Sequence, residues 1–163
     1  TIALEHKNEI IAGVIYDAAQ DECFFAEKGQ GSWMNETRLR VSGRSSMIES
    51  VFATGLPSAG QDGLPQSLRE LAHILPITAG VRSLGAAALD LAYVAAGRFD
   101  GFWERSLKLP EMAAGIIILK EAGGFIESID PKAHFLTDGN VICSNDRIFS
   151  KFAMTVRKSS QDN

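Results

Sequence analysis

Two glutamates stand where a strand hands over to a helix. Glu104 follows the apolar pair Phe102-Trp103. Glu111 falls in the first turn of the stretch Pro110 to Ala122, which reads as a buried helix with Pro110 at its first position and Gly123-Gly124 ending it. The loop Arg105 to Leu109 joins strand to helix, so both carboxylates can face one crevice at a strand end, where α/β sheets tend to bind ligands. A helix N-terminus carries partial positive charge and favours anions such as phosphate. Two carboxylates beside an anion are unfavourable unless a cation intervenes. A divalent metal resolves that conflict, because Mg2+ suits hard oxygen ligands and phosphate alike. A simpler account also fits: a first-turn glutamate complements the helix dipole by about 0.3–1 kcal/mol and needs no further role.

A second candidate is Leu84-Gly85-Ala86-Ala87, another strand-to-helix turn, built of small residues. Its backbone N–H groups could approach a ligand closely, although close helix packing explains the same composition. Gly29-Gln30-Gly31 lies between two antiparallel strands, lacks the strand-to-helix setting of a nucleotide-binding glycine motif, and reads as a turn. Cys23 and Cys143 have no metal-ligand spacing and are expected as reduced thiols. His6, His73 and His134 are scattered, and Arg38, Arg40 and Arg44 read as a solvated strand face.

The elements that must position these groups follow from hydrophobic periodicity. Residues 2–5 and 10–16 are strands joined by a hairpin at His6 to Glu9. Asp17 to Asp21 is a turn, Glu22 to Glu27 a third strand, and Ser32 to Val41 two short strands around Asn35-Glu36. Val51 to Gly55 is a strand and 58–65 a loop. Ser67 to Leu75 has apolar residues at helical spacing, with Pro76 ending it. Gly80 to Leu84 is a strand and Gly85 to Ala96 a helix capped by Gly97. Arg98 to Glu104, Phe125 to Ile129 and Asn140 to Ser144 are strands. Asp146 to Arg157 is an amphipathic helix, followed by a polar tail over 159–163. A meander followed by alternating helices and strands makes one layered α/β domain over 1–163.

In this setting LGAAALDLAYVAAGRFDGFWE (84–104) and LKLPEMAAGIIILKEAGG (107–124) resemble the C-terminal signature of the inositol monophosphatase family, approximately W-D-x-A-A-G, an apolar helix and E-A-G-G. Residues 12–35, 39–44 and 53–57 look like the same family's central hairpins, so the resemblance runs from Thr1 to about Arg157. It implies a layered αβαβα sugar-phosphatase fold, here lacking its N-terminal part. It also implies a homodimer and hydrolysis of a small-molecule phosphomonoester, inositol monophosphate or a similar sugar phosphate, by water activated on Mg2+. By the same resemblance Glu111 stands at the metal-ligand Asp, which also nears the substrate. Glu104 stands at a carboxylate that contacts ring hydroxyls, and Gly85, Ala86 and Ala87 stand at the substrate-binding turn.

Two departures qualify that carry-over. Pro110-Glu111 replaces Trp-Asp, and a longer arm must meet the near-octahedral ligation of Mg2+ at about 2.0–2.1 Å. The family's other metal ligands, a Glu-Glu pair and a D-P-x-D-G-(T/S) motif, have no match, and Thr1-Ile2-Ala3-Leu4 resembles the strand that follows that motif. The catalytic residues proper are therefore expected in a segment preceding Thr1, and this chain alone is expected to be weak or inactive and to expose an apolar patch. Alternatives are an inactive binding or dimerisation module, and a related phosphatase acting on fructose bisphosphate or a nucleotide 3′-phosphate.

Composition bounds the remaining possibilities. A net charge of -4 with no Lys/Arg run argues against a nucleic-acid partner. The longest apolar stretch, Met112 to Leu119, is far short of the roughly 20 residues of a membrane span. With Glu5, His6 and Lys7 breaking the opening apolar run, a cytoplasmic protein is expected.

Overall fold

Short apolar and β-branched runs separated by polar turns build an antiparallel meander over the first forty positions. Its strands pair in chain order: β1 (Ile2–His6), β2 (Glu9–Asp17), β3 (Glu22–Glu27), β4 (Gly31–Met34) and β5 (Thr37–Arg38). The computed structural model describes residues 1–57 and 62–159. Lys7 and Asn8 both adopt positive φ, 52° and 62°, as a two-residue hairpin matched to strand twist requires. The turn at Gly29-Gln30-Gly31 is held from a distance. The carboxylate of Glu121 accepts the N–H groups of Gly29 and Gly31, each at 2.9 Å.

One face of this sheet carries Gly13, Ile15, Phe24 and Ala26, all buried. Against it lies a helix pair, α2 (Ala87–Ala95) and α3 (Leu109–Glu121). A side chain at Gly13 would come within 2.8 Å of the Ala114 backbone, so α3 crosses β2 at close range. Every residue of α3 from Met112 to Leu119 is buried. A helix apolar all round must be covered on all sides, and here a second sheet covers it. That sheet has the order β7 (Gly80–Arg82), β6 (Val51–Thr54), β8 (Gly101–Glu104), β10 (Val141–Ser144), β9 (Phe125–Ser128). β6 runs parallel to β7 and β8, whereas β10 is antiparallel to β8 and β9. Helices α1 (Leu64–Ile74) and α5 (Asp146–Ser159) pack on its far face. There Phe152 meets Phe52 and Trp103 at ring separations of 4.4 and 5.8 Å.

The layers therefore run sheet, helix pair, sheet, helix pair: four of the five in an αβαβα arrangement. No described helix lies on the outer face of the meander, where Ile2, Leu4 and Tyr16 are 75%, 56% and 57% exposed and Val14 and Phe25 join them. The expected apolar patch is this face. No described helix is long and apolar enough to cross a membrane.

Several boundaries differ from expectation. α2 starts at Ala87, two residues late, because Gly85 takes φ +73° and Ala86 is non-helical, with φ -142° and ψ 84°. β8 starts at Gly101, since Arg98 and Phe99 turn back to donate to the Tyr93 carbonyl. α1 begins at Leu64, with Pro65 accommodated in its first turn. A short helix α4 (Phe135–Asp138) was not foreseen. The loop expected over 58–65 and the tail expected over 159–163 lie partly outside the described residues. Arg44 is not simply solvated: it pairs at 3.2 Å with the buried carboxylate of Asp100, which also accepts the Val51 N–H. Both cysteines are free, Cys23 half-buried and Cys143 buried, and burial pushes the Cys143 thiol far up.

Candidate active site

The site forms where β6, β8 and the N-terminus of α3 converge. β8 carries Phe102 and Trp103 into the core and delivers Glu104 at its end. The Thr54 hydroxyl at the end of β6 donates to the Trp103 carbonyl at 2.7 Å and holds the two strand ends in register. Past Thr54 the chain continues through Gly55, whose N–H donates to the Glu104 carboxylate. A side chain at Gly55 would overlap that carboxylate. Glycine is thus what lets the main chain pass so near the acid.

The loop 105–108 then turns the chain into α3. Ser106 takes φ +60° and its N–H donates to the Asn140 side chain at 3.1 Å, while the Leu107 N–H donates to the Gly139 carbonyl at 2.9 Å. At Gly139, with φ +68°, any Cβ would run into the Leu107 backbone, so two loops interlock under the site. Glu111 sits at the third helical position and accepts the Lys108 N–H at 2.6 Å. Glu111 thus caps the helix as well as standing at its dipole's positive end, and the same carboxylate also lines the cavity.

Glu104 and Glu111 share one cavity of about 530 Å3, together with Gly55, Glu70 and Arg105. Burial, with the charges of Asp90 and Glu111 adding to it, pushes the Glu104 carboxyl up to about 7 against the lowering effect of the Gly55 N–H. Gly85, Ala86 and Ala87 do not line this cavity. What ties their helix to it is Asp90, whose N–H bonds to the Ala86 carbonyl and whose charge is felt at Glu104.

Asp90 and Glu70 were missed in the sequence. Asp90 is fully buried, neither carboxylate oxygen has a hydrogen-bond partner among the described residues, and burial pushes it up to about 7. A lone acid inside the Ala/Leu run of 86–96 was the available signal. Glu70, 2% exposed, had none, because its partners Trp103 and Arg105 lie more than thirty residues away.

The donor set suits a hard cation in part. Mg2+ commonly takes one or two protein carboxylates and completes its shell with water and phosphate oxygens, which Glu111 with Glu104 nearby can satisfy. The described residues contain no group of three or more acidic, histidine or cysteine ligands, so they do not form a closed cage.

Comparison with known proteins bears on this geometry. The model of the inositol monophosphatase family matches residues 1–161. An inositol-1-monophosphatase of Mesorhizobium japonicum is 44% identical over 158 residues, covering 97% of this chain and 59% of the relative. The Nus factor SuhB of Pseudomonas aeruginosa is 38% identical, covering 96% and 59%. The extragenic suppressor protein suhB of Bartonella henselae superposes with a TM-score of 0.91 at 44% identity, over 96% of this chain and 61% of that one. The chain thus spans about three-fifths of the length of these relatives.

Proposed function

The chain belongs to the inositol monophosphatase family, and on that premise we propose that it supplies the alcohol-facing wall of a Mg2+-dependent phosphomonoesterase acting on inositol monophosphate or a similar small sugar phosphate. The observation that carries this reading is the meeting of Glu104 and Glu111 in one cavity at the mouth of α3. The helix N-terminus favours the phosphate. Glu111 would hold the cation, which when bound offsets the charge of the carboxylates and activates water for attack on phosphorus. Glu104, an acceptor beside the Gly55 backbone, orients the alcohol half through its hydroxyls. A homodimer belongs to the same proposal.

The test is phosphate release from myo-inositol 1-phosphate by the chain in Mg2+, with chelator and Glu111→Ala controls. Turnover that needs Mg2+ and is lost in Glu111→Ala supports the reading. Mg2+-independent release, or release untouched by Glu111→Ala, overturns it. The absence of a three-ligand group among the described residues favours a second reading, a module that binds the ester without cleaving it. Calorimetry that shows Mg2+-dependent ester binding with no phosphate release identifies that case.

A further inference from the structure

A strand sends its residues alternately to the two sides of its sheet. In β8, Phe102 joins the core formed with α2 and α3, whereas Trp103 packs on the far side with Ile74 and Phe152. Glu104 comes next and returns to the Phe102 side. On the Trp103 side lies Glu70 of α1, 2% exposed. One of its oxygens accepts from Gln66 Nε2 at 2.9 Å and from Arg105 Nε at 2.6 Å, and the other accepts from Trp103 Nε1 at 2.9 Å. Trp103 and Arg105 are the residues immediately before and after Glu104. One buried acid behind the strand therefore ties down the chain on both sides of the acid that faces the cavity.

Stability alone is a poor reason for this arrangement. A buried carboxylate loses hydration that its ion pair only partly returns, and apolar residues of the same volume hold a core at least as well. We propose that Glu70 is a positioning residue: through Trp103 and Arg105 it fixes the direction of Glu104, the acid that faces the alcohol half of the ester. The inference rests on the phosphomonoesterase reading above and adds to it a residue that touches neither cation nor ester. Both Glu70 oxygens are already taken by the donors that it holds. The neighbouring strand completes the mount. There the Thr54 hydroxyl donates to the Trp103 carbonyl, and the Gly55 N–H donates to the Glu104 carboxylate. Residues 103 to 105 are thus fixed from behind, and the carboxylate between them is received in front. An acid that orients ring hydroxyls must keep its direction, because a misplacement of about 1 Å costs up to about a hundredfold.

Amide hydrogen exchange of the full chain reads the direction of Glu104 without any ligand, because the Gly55 N–H is bonded to its carboxylate. Wild type is compared with Glu70→Gln, Trp103→Phe, Glu104→Ala and the double variant Glu70→Gln with Glu104→Ala. Glutamine offers a single acceptor oxygen and sets an NH2 group against a donor, so Trp103 or Arg105 loses this bond. Trp103→Phe removes the indole N–H and keeps a ring in the core. The Gly55 amide is expected to exchange about tenfold faster in Glu70→Gln, as for one lost hydrogen bond to a charged group, and to change less in Trp103→Phe. The Lys108 amide, bonded to Glu111, keeps its rate. Calorimetric titration in Mg2+ compares myo-inositol 1-phosphate with phenyl phosphate, which has no ring hydroxyls. The preference for the inositol ester is expected to fall about tenfold in Glu70→Gln. In the Glu104→Ala background Glu70→Gln changes that preference no further. A merely structural Glu70 would speed exchange at Gly55 and Lys108 alike and weaken both esters equally, which overturns the proposal, as does unchanged exchange at Gly55. If Glu70→Gln does not fold, Trp103→Phe carries the same two readouts. A wild-type chain that binds neither ester, or both alike, sinks the phosphomonoesterase reading, while exchange at Gly55 still decides whether Glu70 aims Glu104.

Discussion

The main chain at Gly55 and the carboxylate of Glu104 occupy adjoining space that has no room for a methyl group. Gly55→Ala should displace the flexible end of Glu104 and leave the strand intact. The expected result is a change in stability within about 1 kcal/mol and about a tenfold loss of affinity for a polyol ester, the worth of one hydrogen bond to a charged group. Denaturation and titration of the same variant separate the two effects.

Asp90 makes stability depend on pH in a defined direction. Its carboxyl titrates near 3.9 when unfolded but at about 7 when buried. Between those values the folded chain binds more protons than the unfolded one, so stability falls as pH rises from about 4 to about 7 and levels off above. Glu104, also pushed up to about 7, contributes with the same sign. Asp90→Asn should flatten part of this slope and be more stable than wild type at pH 8 by about 1–3 kcal/mol, since the amide it places there is itself buried without partners among the described residues. Urea midpoints at pH 5 and pH 8 measure it, and a less stable Asn variant at pH 8 would show that Asp90 is ionised and partnered.

Gly139→Ala meets rigid main chain, unlike Gly55→Ala, which meets the end of a side chain. The residue has positive φ and its Cβ position is taken by the Leu107 backbone. A destabilisation of about 2–3 kcal/mol is expected. The loop carrying Arg105 should lose amide-exchange protection at Leu107, whose N–H bonds to the Gly139 carbonyl.

Glu111→Gln separates the cap from the cation. The amide oxygen can still accept the Lys108 N–H that Glu111 now binds, so helix stability should change by no more than about 0.5 kcal/mol. Mg2+ affinity should drop about tenfold or more with the loss of the charged ligand. Equal Mg2+ binding by both proteins would confine Glu111 to capping.

Much of this was readable in one dimension. The β-rich run over 10–16, the apolar block 112–119 and the strand-to-helix step from Glu104 to Glu111 each follow from short-range composition and turn signals. What escaped depends on separation in sequence. Glu70 sits at a position that looks like the polar side of a helix, and only Trp103 and Arg105, brought in by β8, make it interior. Asp90 was visible as an anomaly, but nothing local says which way its side chain points. The helix Phe135–Asp138 is too short to show a period and is started by the His134 ring accepting the Leu136 N–H. The Gly85 turn has the composition of a binding loop, but Gly85, Ala86 and Ala87 do not line the cavity of Glu104 and Glu111.

The two cysteines differ enough to be useful. Cys143 is sealed in the second sheet with its thiol strongly disfavoured from ionising, whereas Cys23 is half-buried beside Tyr16 on the open side of the meander. A thiol-reactive fluorophore should therefore label the native chain once, at Cys23, without mutagenesis. Its emission would then report directly on whatever comes to rest over that open side.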